Sequence, residues 1–157
     1  MGKIYVLGDD HIERLLGTAL VGRIACCSHA PGEAGRPYVV PLAYGYDGEG
    51  VYAFSGPGRK IEIMRSQPLI SFEVDEAAAE DRWSSVIAEG VYEELTTPQG
   101  RELAHRVIFG DRKDIPPFAD HHIVYRLHLT RKTGRFELPD GEAPTVEQLG
   151  PNSARSR

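Results

Sequence analysis

The chain has 157 residues, with 18 lysines and arginines against 23 aspartates and glutamates, for a formal net charge of -5. That length suits one domain around one continuous core, and the acidic balance counts against a nucleic-acid surface, which is normally basic. No apolar run reaches the length of a bilayer span, and MGKIYVLGDD lacks the charged, apolar and small-residue order of a signal peptide, so the chain reads as cytoplasmic with no membrane partner.

Near the start, Asp10 followed by Glu13 suggests a capped short helix through Leu16, with Gly17 as its stop. VGRIACCS, from Val21 to Ser28, reads as a strand in which the adjacent Cys26 and Cys27 face opposite ways, which argues against a disulfide between them. HAPGEAGR is a Pro- and Gly-bearing loop, and PYVVPLAYGY completes a hairpin. A turn at Asp47, Gly48, Glu49 and Gly50 then leads into VYAFS, giving three antiparallel strands in succession.

Beyond SGPGRK, residues Ile61 and Met64 mark a short helix that stops before Pro68, because the residue preceding a proline is pushed out of helical geometry. LISFEV is a fourth strand, DEAAAEDR a solvated loop, and WSSVIAEGVYEEL a fifth strand with a bulge at Gly90. Thr97 and Pro98 open a helix through Leu103, Val107 and Ile108 that Gly110 ends. HHIVYRLHLT, with Ile123, Tyr125, Leu127 and Leu129 alternating, is the last long strand, and KTGR turns into a short FEL. The fold class is therefore mainly β, an antiparallel split β-barrel of about six strands with a few short helices. The domain runs over 1–139. Residues 140–157 form a polar tail, punctuated by Pro and Gly, that is expected to be flexible or draped over a partner.

At the exit of VYAFS, Ser55 offers a hydroxyl, Gly56 and Gly58 admit close approach, and Arg59 and Lys60 place two charges near a helix N-terminus. Each feature favours an anion. An ordinary strand-to-helix turn with solvated cations is the alternative. The spacing is not that of a GxxxxGK[ST] phosphate loop. Pro41 inside a strand suits an edge or ligand-facing position, and RWSSVIAEG opens a strand with Trp83 and the hydroxyls of Ser84 and Ser85.

Taken in order, GRIA, PYVVPLAYGY, VYAFSGPGRKIEIMRSQP, SFEVDE and WSSVIAEG resemble the FMN-binding split-barrel proteins related to pyridoxamine 5'-phosphate oxidase. The likeness runs from about Asp10 to Leu138 and is greatest to the branch that includes nitroimidazole-resistance proteins. It implies a homodimer with two FMN sites at the interface. By position, Ser55, Arg59 and Lys60 would hold the flavin phosphate. Pro41, Leu42, Ala43 and Tyr44 would line the ring, and Trp83, Ser84 and Ser85 would close the site. Phe54 stands near where the nitroimidazole-resistance relatives carry histidine, which counts against nitro reduction. The tail lacks the substrate-binding ending of a true pyridoxamine phosphate oxidase.

The implied function is an FMN-dependent oxidoreductase acting on a small-molecule substrate or electron donor, with no catalytic side chain identified. The alternatives are a non-catalytic flavin- or haem-binding protein and a deazaflavin-dependent reductase, the latter disfavoured by the acidic balance. His121, His122 and His128 lack the spacing and companions of a metal site, so none is assigned. His11, His29 and His105 read as loop or helix-surface residues. No GxSxG elbow supports a serine hydrolase.

Overall fold

The computed structural model describes residues 2–150. The elements are β1 (Lys3–Val6), α1 (Asp9–Thr18), β2 (Val21–Ser28), β3 (Arg36–Ala43), β4 (Gly45–Tyr46), β5 (Gly50–Ser55), α2 (Arg59–Ser66), β6 (Leu69–Ala79), β7 (Arg82–Glu94), α3 (Pro98–Phe109), β8 (Ile123–Leu138) and α4 (Val146–Leu149). The strands form one sheet in the order β3-β2-β6-β7-β8-β5-β4, and every neighbouring pair is antiparallel. β1 and β5 lie along β8 in series, at Arg135–Leu138 and Ile123–His128 respectively.

β3 and β4 sit at opposite ends of this order, yet only Tyr44 separates them in the chain. Two consecutive Cα steps reach roughly 7 Å, so the sheet has to curl until its two ends nearly meet. No ladder joins those ends, because β3 pairs with β2 and β4 with β5. The result is the expected antiparallel split barrel. The six anticipated strands are β2, β3 and β5–β8. β1 and the two-residue β4 are additional, and β4 makes the anticipated succession of three hairpin strands into two separate hairpins.

The core fills the curl. Alternation puts Ile24 and Cys26 of β2, Phe72 and Val74 of β6, Val86 and Ala88 of β7 and Leu127 of β8 on one side of their strands, where they meet Ile12, Leu15 and Leu16 of α1 and Ile61 and Met64 of α2. α1 starts two residues earlier than the Asp10 capping pattern indicated, with Gly8 rather than Asp10 as its N-cap and no side-chain cap; Gly17 lies within it. α3 matches its signals, with Thr97 Oγ1 accepting from the Gly100 N–H and Pro98 in the first turn.

Three segments differ from the sequence reading. DEAAA is strand, not loop: β6 runs to Ala79, and Glu80 and Asp81 alone make the turn into β7. Its residues 75–79 are all exposed, so the segment shows no alternation to read. KTGR is not a turn either, since β8 continues through it, and Gly134 is there because an added Cβ would lie 2.7 Å from Leu7 Cβ. The register slip near Gly90 is present, with Thr130 of β8 as the extra residue.

The beginning of the tail folds back on its own chain. Thr145 and Gln148 form a capping box on α4, the Gly8 N–H donates to Gln148 O at 2.7 Å, and Leu149 packs against the core. Arg82 pairs with Glu142. Residues 151–157, with Arg155 and Arg157, lie outside the described residues.

Candidate functional site

The candidate anion loop is the junction of β5 and α2. Neither Gly56 nor Gly58 has the left-handed backbone that requires glycine, and Gly58, at φ 170°, is simply extended. A Cβ added at either would meet nothing within 4 Å. Conformation and internal packing therefore leave both glycines unexplained, and the bare backbone faces open space at the start of a helix whose first N–H groups lack intrahelical partners. Lys60 is half-buried and has no hydrogen-bond, ion-pair or ring partner among the described residues. An anion is the natural complement of that ammonium.

The other two loop residues are engaged. Ser55 Oγ donates to Gly56 O at 2.9 Å, so its hydroxyl would have to turn before donating to a ligand. The Arg59 guanidinium lies 4.8 Å from the centre of the Tyr38 ring, and its Nη2 donates to Glu33 Oε1 at 3.1 Å. Glu33 Oε2 in turn accepts from Ser28 Oγ at 2.9 Å. Sequence reasoning missed Tyr38 and Glu33, because Glu33 read as loop and Tyr38 as one more residue in an alternating strand; only the pairing of β2 with β3 brings them to α2.

Tyr38 shares its strand with the candidate ring floor: Pro41 lies three residues along β3, about 10 Å away and on the opposite face. Pro41 and Ala43 point outward and Leu42 is half-buried on the other face with Tyr38 and Val40. β3 pairs only with β2, so Pro41 occupies the edge position where its missing N–H costs no ladder bond. Around it the surface is apolar: Val39 is 60% exposed, Val21 48% and Leu20 85%. Tyr44 turns inward, with its hydroxyl donating to Leu16 O at 2.6 Å and its ring edge-on to Phe72 at 5.0 Å. Burial, with Tyr46 nearby as a lesser cause, pushes its ionisation up to about 12. Only the Tyr44 backbone is left for a ligand at that strip.

Trp83, Ser84 and Ser85 are elsewhere on the chain. Trp83 and Ser85 alternate onto the outer face of β7, and Ser84 is buried on the inner one. The Trp83 indole donates to Glu137 Oε2 at 2.7 Å. Trp83 and Ser84 line a cleft of about 390 Å³ with Arg82, Phe136, Glu137 and Gln148 of the folded-back tail. This group opposes the far end of β8, whereas Ser55 opposes its beginning. The ten candidates thus form two clusters, one around β3, β5 and α2 and one at the tip of the β6–β7 hairpin.

Phe54 belongs to neither cluster, because its ring stacks among Phe109, Phe118 and His122 on the α3 side. His121 and His122 are in ring contact, and His122 Nδ1 accepts from the Ala119 N–H at 3.2 Å. His11, expected at the surface, has a side chain only 11% exposed beside Arg14 and Glu76.

Comparison with known proteins bears on these clusters. A family model described as Pyridoxamine 5'-phosphate oxidase matches residues 8–136. A Rhizobium meliloti (strain 1021) protein, described only as uncharacterized, is 35% identical over 151 residues, 96% of this chain and 85% of that one. The crystal structure of an FAD-binding protein from Mesorhizobium loti is 35% identical, with a TM-score of 0.70 over 86% of this chain and 99% of the other. A Bacteroides thetaiotaomicron structure, assigned provisionally to 5-nitroimidazole antibiotic resistance, has a TM-score of 0.71 at 22% identity over 87% and 89% of the two chains. At that lower identity the likeness speaks for the fold.

Proposed function

The chain belongs to the pyridoxamine 5'-phosphate oxidase family, and from that premise we propose that it is a flavin-binding protein. Two copies of the chain share each site, and the bound flavin serves an oxidoreductase reaction on a small molecule. The observation that carries the reading is the β5–α2 junction, where two glycines with open space above them adjoin a half-buried Lys60 that has no partner among the described residues. FMN combines a dianionic phosphate with a flat, largely apolar ring, so it needs a cationic socket and a strand floor. Arg59 and Lys60 supply the first. Pro41 and Ala43, at the exposed edge of β3, supply the second.

Sharing between two copies follows from the separation of the clusters. In this reading the phosphate end, by Ser55 at the start of β8, and Trp83, at its far end, belong to one site through two copies, with Trp83 of the second copy closing it. The exposed apolar strip of Leu20, Val21 and Val39 is a surface that such a copy would cover. When bound, the flavin would supply hydride or electron transfer. The protein's residues hold the phosphate, support the ring and exclude water from it, and no side chain in the cluster is set up as a general acid or base.

The FMN half is common to FMN and FAD. FAD is the second reading, favoured by the FAD-binding protein of Mesorhizobium loti. The test is the visible spectrum of the purified protein together with the mass of whatever denaturation releases. Twin flavin bands with the mass of FMN or FAD support the reading. A Soret band, a single deazaflavin band, or failure to take up added flavin counts against it. Anaerobic NADH or NADPH should then bleach the bound flavin, and bleaching by neither would favour a binding protein without reductase activity.

A further inference from the structure

FMN and FAD present different charges to the same arginine. The phosphate of FMN is a monoester carrying about -1.5 to -2 on one phosphorus near pH 7, whereas FAD spreads about two charges over a pyrophosphate, with about one on the phosphorus that corresponds to that of FMN. Arg59 meets its ligand with a carboxylate already beside it, because Glu33 Oε1 accepts from Arg59 Nη2 at 3.1 Å. That carboxylate is held in place. Ser28 Oγ donates to Glu33 Oε2 at 2.9 Å, and the loop is closed by Glu33 N–H to Ala30 O at 2.9 Å, Gly35 N–H to Ser28 O at 2.8 Å and Arg36 N–H to Glu33 O at 2.8 Å.

Resting on the proposal that Arg59 and Lys60 meet a flavin phosphate, we infer that Glu33 determines which flavin nucleotide the site prefers, favouring the pyrophosphate of FAD over the dianion of FMN. A phosphate on the free edges of the Arg59 guanidinium lies within a few ångströms of Glu33, and the like-charge cost there scales with the charge on the phosphate. The Tyr38 ring, in addition to Glu33, holds the Arg59 guanidinium. Glu33 therefore acts on the ligand's charge.

The same loop borders open surface beside Arg59. Gly32, Glu33, Ala34, Gly35 and Arg36 border an open concavity of about 540 Å³, and an added Cβ at Gly32 or Gly35 meets nothing within 4 Å. A carboxylate beside that surface is a ready acceptor for ribose hydroxyls. Glu33 thus repels the FMN dianion and accepts hydrogen bonds from the adenosine ribose that only FAD carries.

The test titrates riboflavin, FMN and FAD into the full-length wild-type, Glu33→Gln and Lys60→Ala proteins, following flavin fluorescence at low and high salt. Glutamine keeps the size of Glu33, and its oxygen can accept from Arg59 while its NH2 donates to Ser28 Oγ, so the loop should persist. Glu33→Gln is expected to tighten FMN about three- to ten-fold at low salt, to leave riboflavin unchanged and not to tighten FAD, with the gain for FMN shrinking at high salt. Glu33→Asp, which keeps the charge but withdraws it by one methylene, should fall between wild type and Glu33→Gln. An unchanged FAD-to-FMN ratio in Glu33→Gln, with Lys60→Ala still weakening both nucleotides relative to riboflavin, overturns the role of Glu33 and leaves the phosphate site standing. If Lys60→Ala shifts all three ligands equally, the loop holds no phosphate and both proposals fail.

Discussion

Ser55 and Trp83 oppose the two ends of one strand: Ser55 pairs with Ile123, the first residue of β8, and Trp83 with Glu137, next to its last. Along β8 the interval is roughly 45 Å at the usual rise per residue. Coiling of the sheet shortens the direct path, but the two residues remain at opposite ends of the barrel. In the proposed shared site, a flavin that touches both touches them on different chains.

The protein should accordingly be a dimer in solution, and it should lose flavin when diluted below the dissociation constant of that dimer. Light scattering with parallel flavin absorbance checks this. A monomer at micromolar concentration that keeps its full complement of flavin would exclude a shared site.

Lys60→Ala should weaken FMN and FAD but leave riboflavin nearly unchanged, because only the nucleotides carry the charge that the ammonium meets. A hydrogen bond to a charged group is worth about 1.5–3 kcal/mol, roughly ten- to a hundred-fold in affinity, and salt should reduce the effect. Removing a cation from the first turn of α2 is not unfavourable to the helix dipole, so thermal stability should hold. Fluorescence titration with the three flavins and a melting curve check both halves.

Gly22→Ala should destabilise the fold. An added Cβ would sit 2.2 Å from Phe72 Cζ, and Phe72 is fully buried with its ring edge against Tyr44. Neither ring can move without disturbing the core, so overpacking of about 1–3 kcal/mol is expected. Urea denaturation should show a lower midpoint with an unchanged m-value.

The Tyr44 hydroxyl gives a prediction in alkali. Burial pushes its folded ionisation up to about 12 from the usual 10.0. The neutral form is thus favoured in the folded state, and its contribution is complete below about pH 10 and lost as the pH rises through about 12. Tyr44→Phe removes the donor to Leu16 O and should cost about 0.5–1.5 kcal/mol at neutral pH. The gap between wild type and Tyr44→Phe should close across pH 10 to 12. A gap that stays constant over that window would show that the hydroxyl contributes nothing through its protonated form.

Much of the barrel was legible because half-buried strands alternate, and β2, β7 and the first half of β8 do so clearly. β4 was not, since two residues carry no period, and neither was the exposed end of β6. Gly134 read as a turn because a glycine in a polar stretch usually is one, whereas here Leu7 rests on it from elsewhere in the chain. In the candidate site, the glycines and cations of 55–60 are contiguous and could be seen directly. The Tyr38 and Glu33 contacts with Arg59 cross between elements, and the distance from Ser55 to Trp83 exists only once the register of β5, β7 and β8 is known.

The most direct test of the shared site is complementation between two defective chains. Lys60→Ala damages the phosphate end and Trp83→Ala the closing end, so each homodimer should bind flavin nucleotide poorly. When the two are unfolded together and refolded as an equal mixture, about half the dimers are mixed, and each mixed dimer carries one intact site and one doubly damaged site. Nucleotide-binding capacity at a concentration that saturates only intact sites should recover to about one quarter of wild type. Capacity no higher than that of either variant alone, with mixed dimers shown to have formed, would mean that each site lies within a single chain.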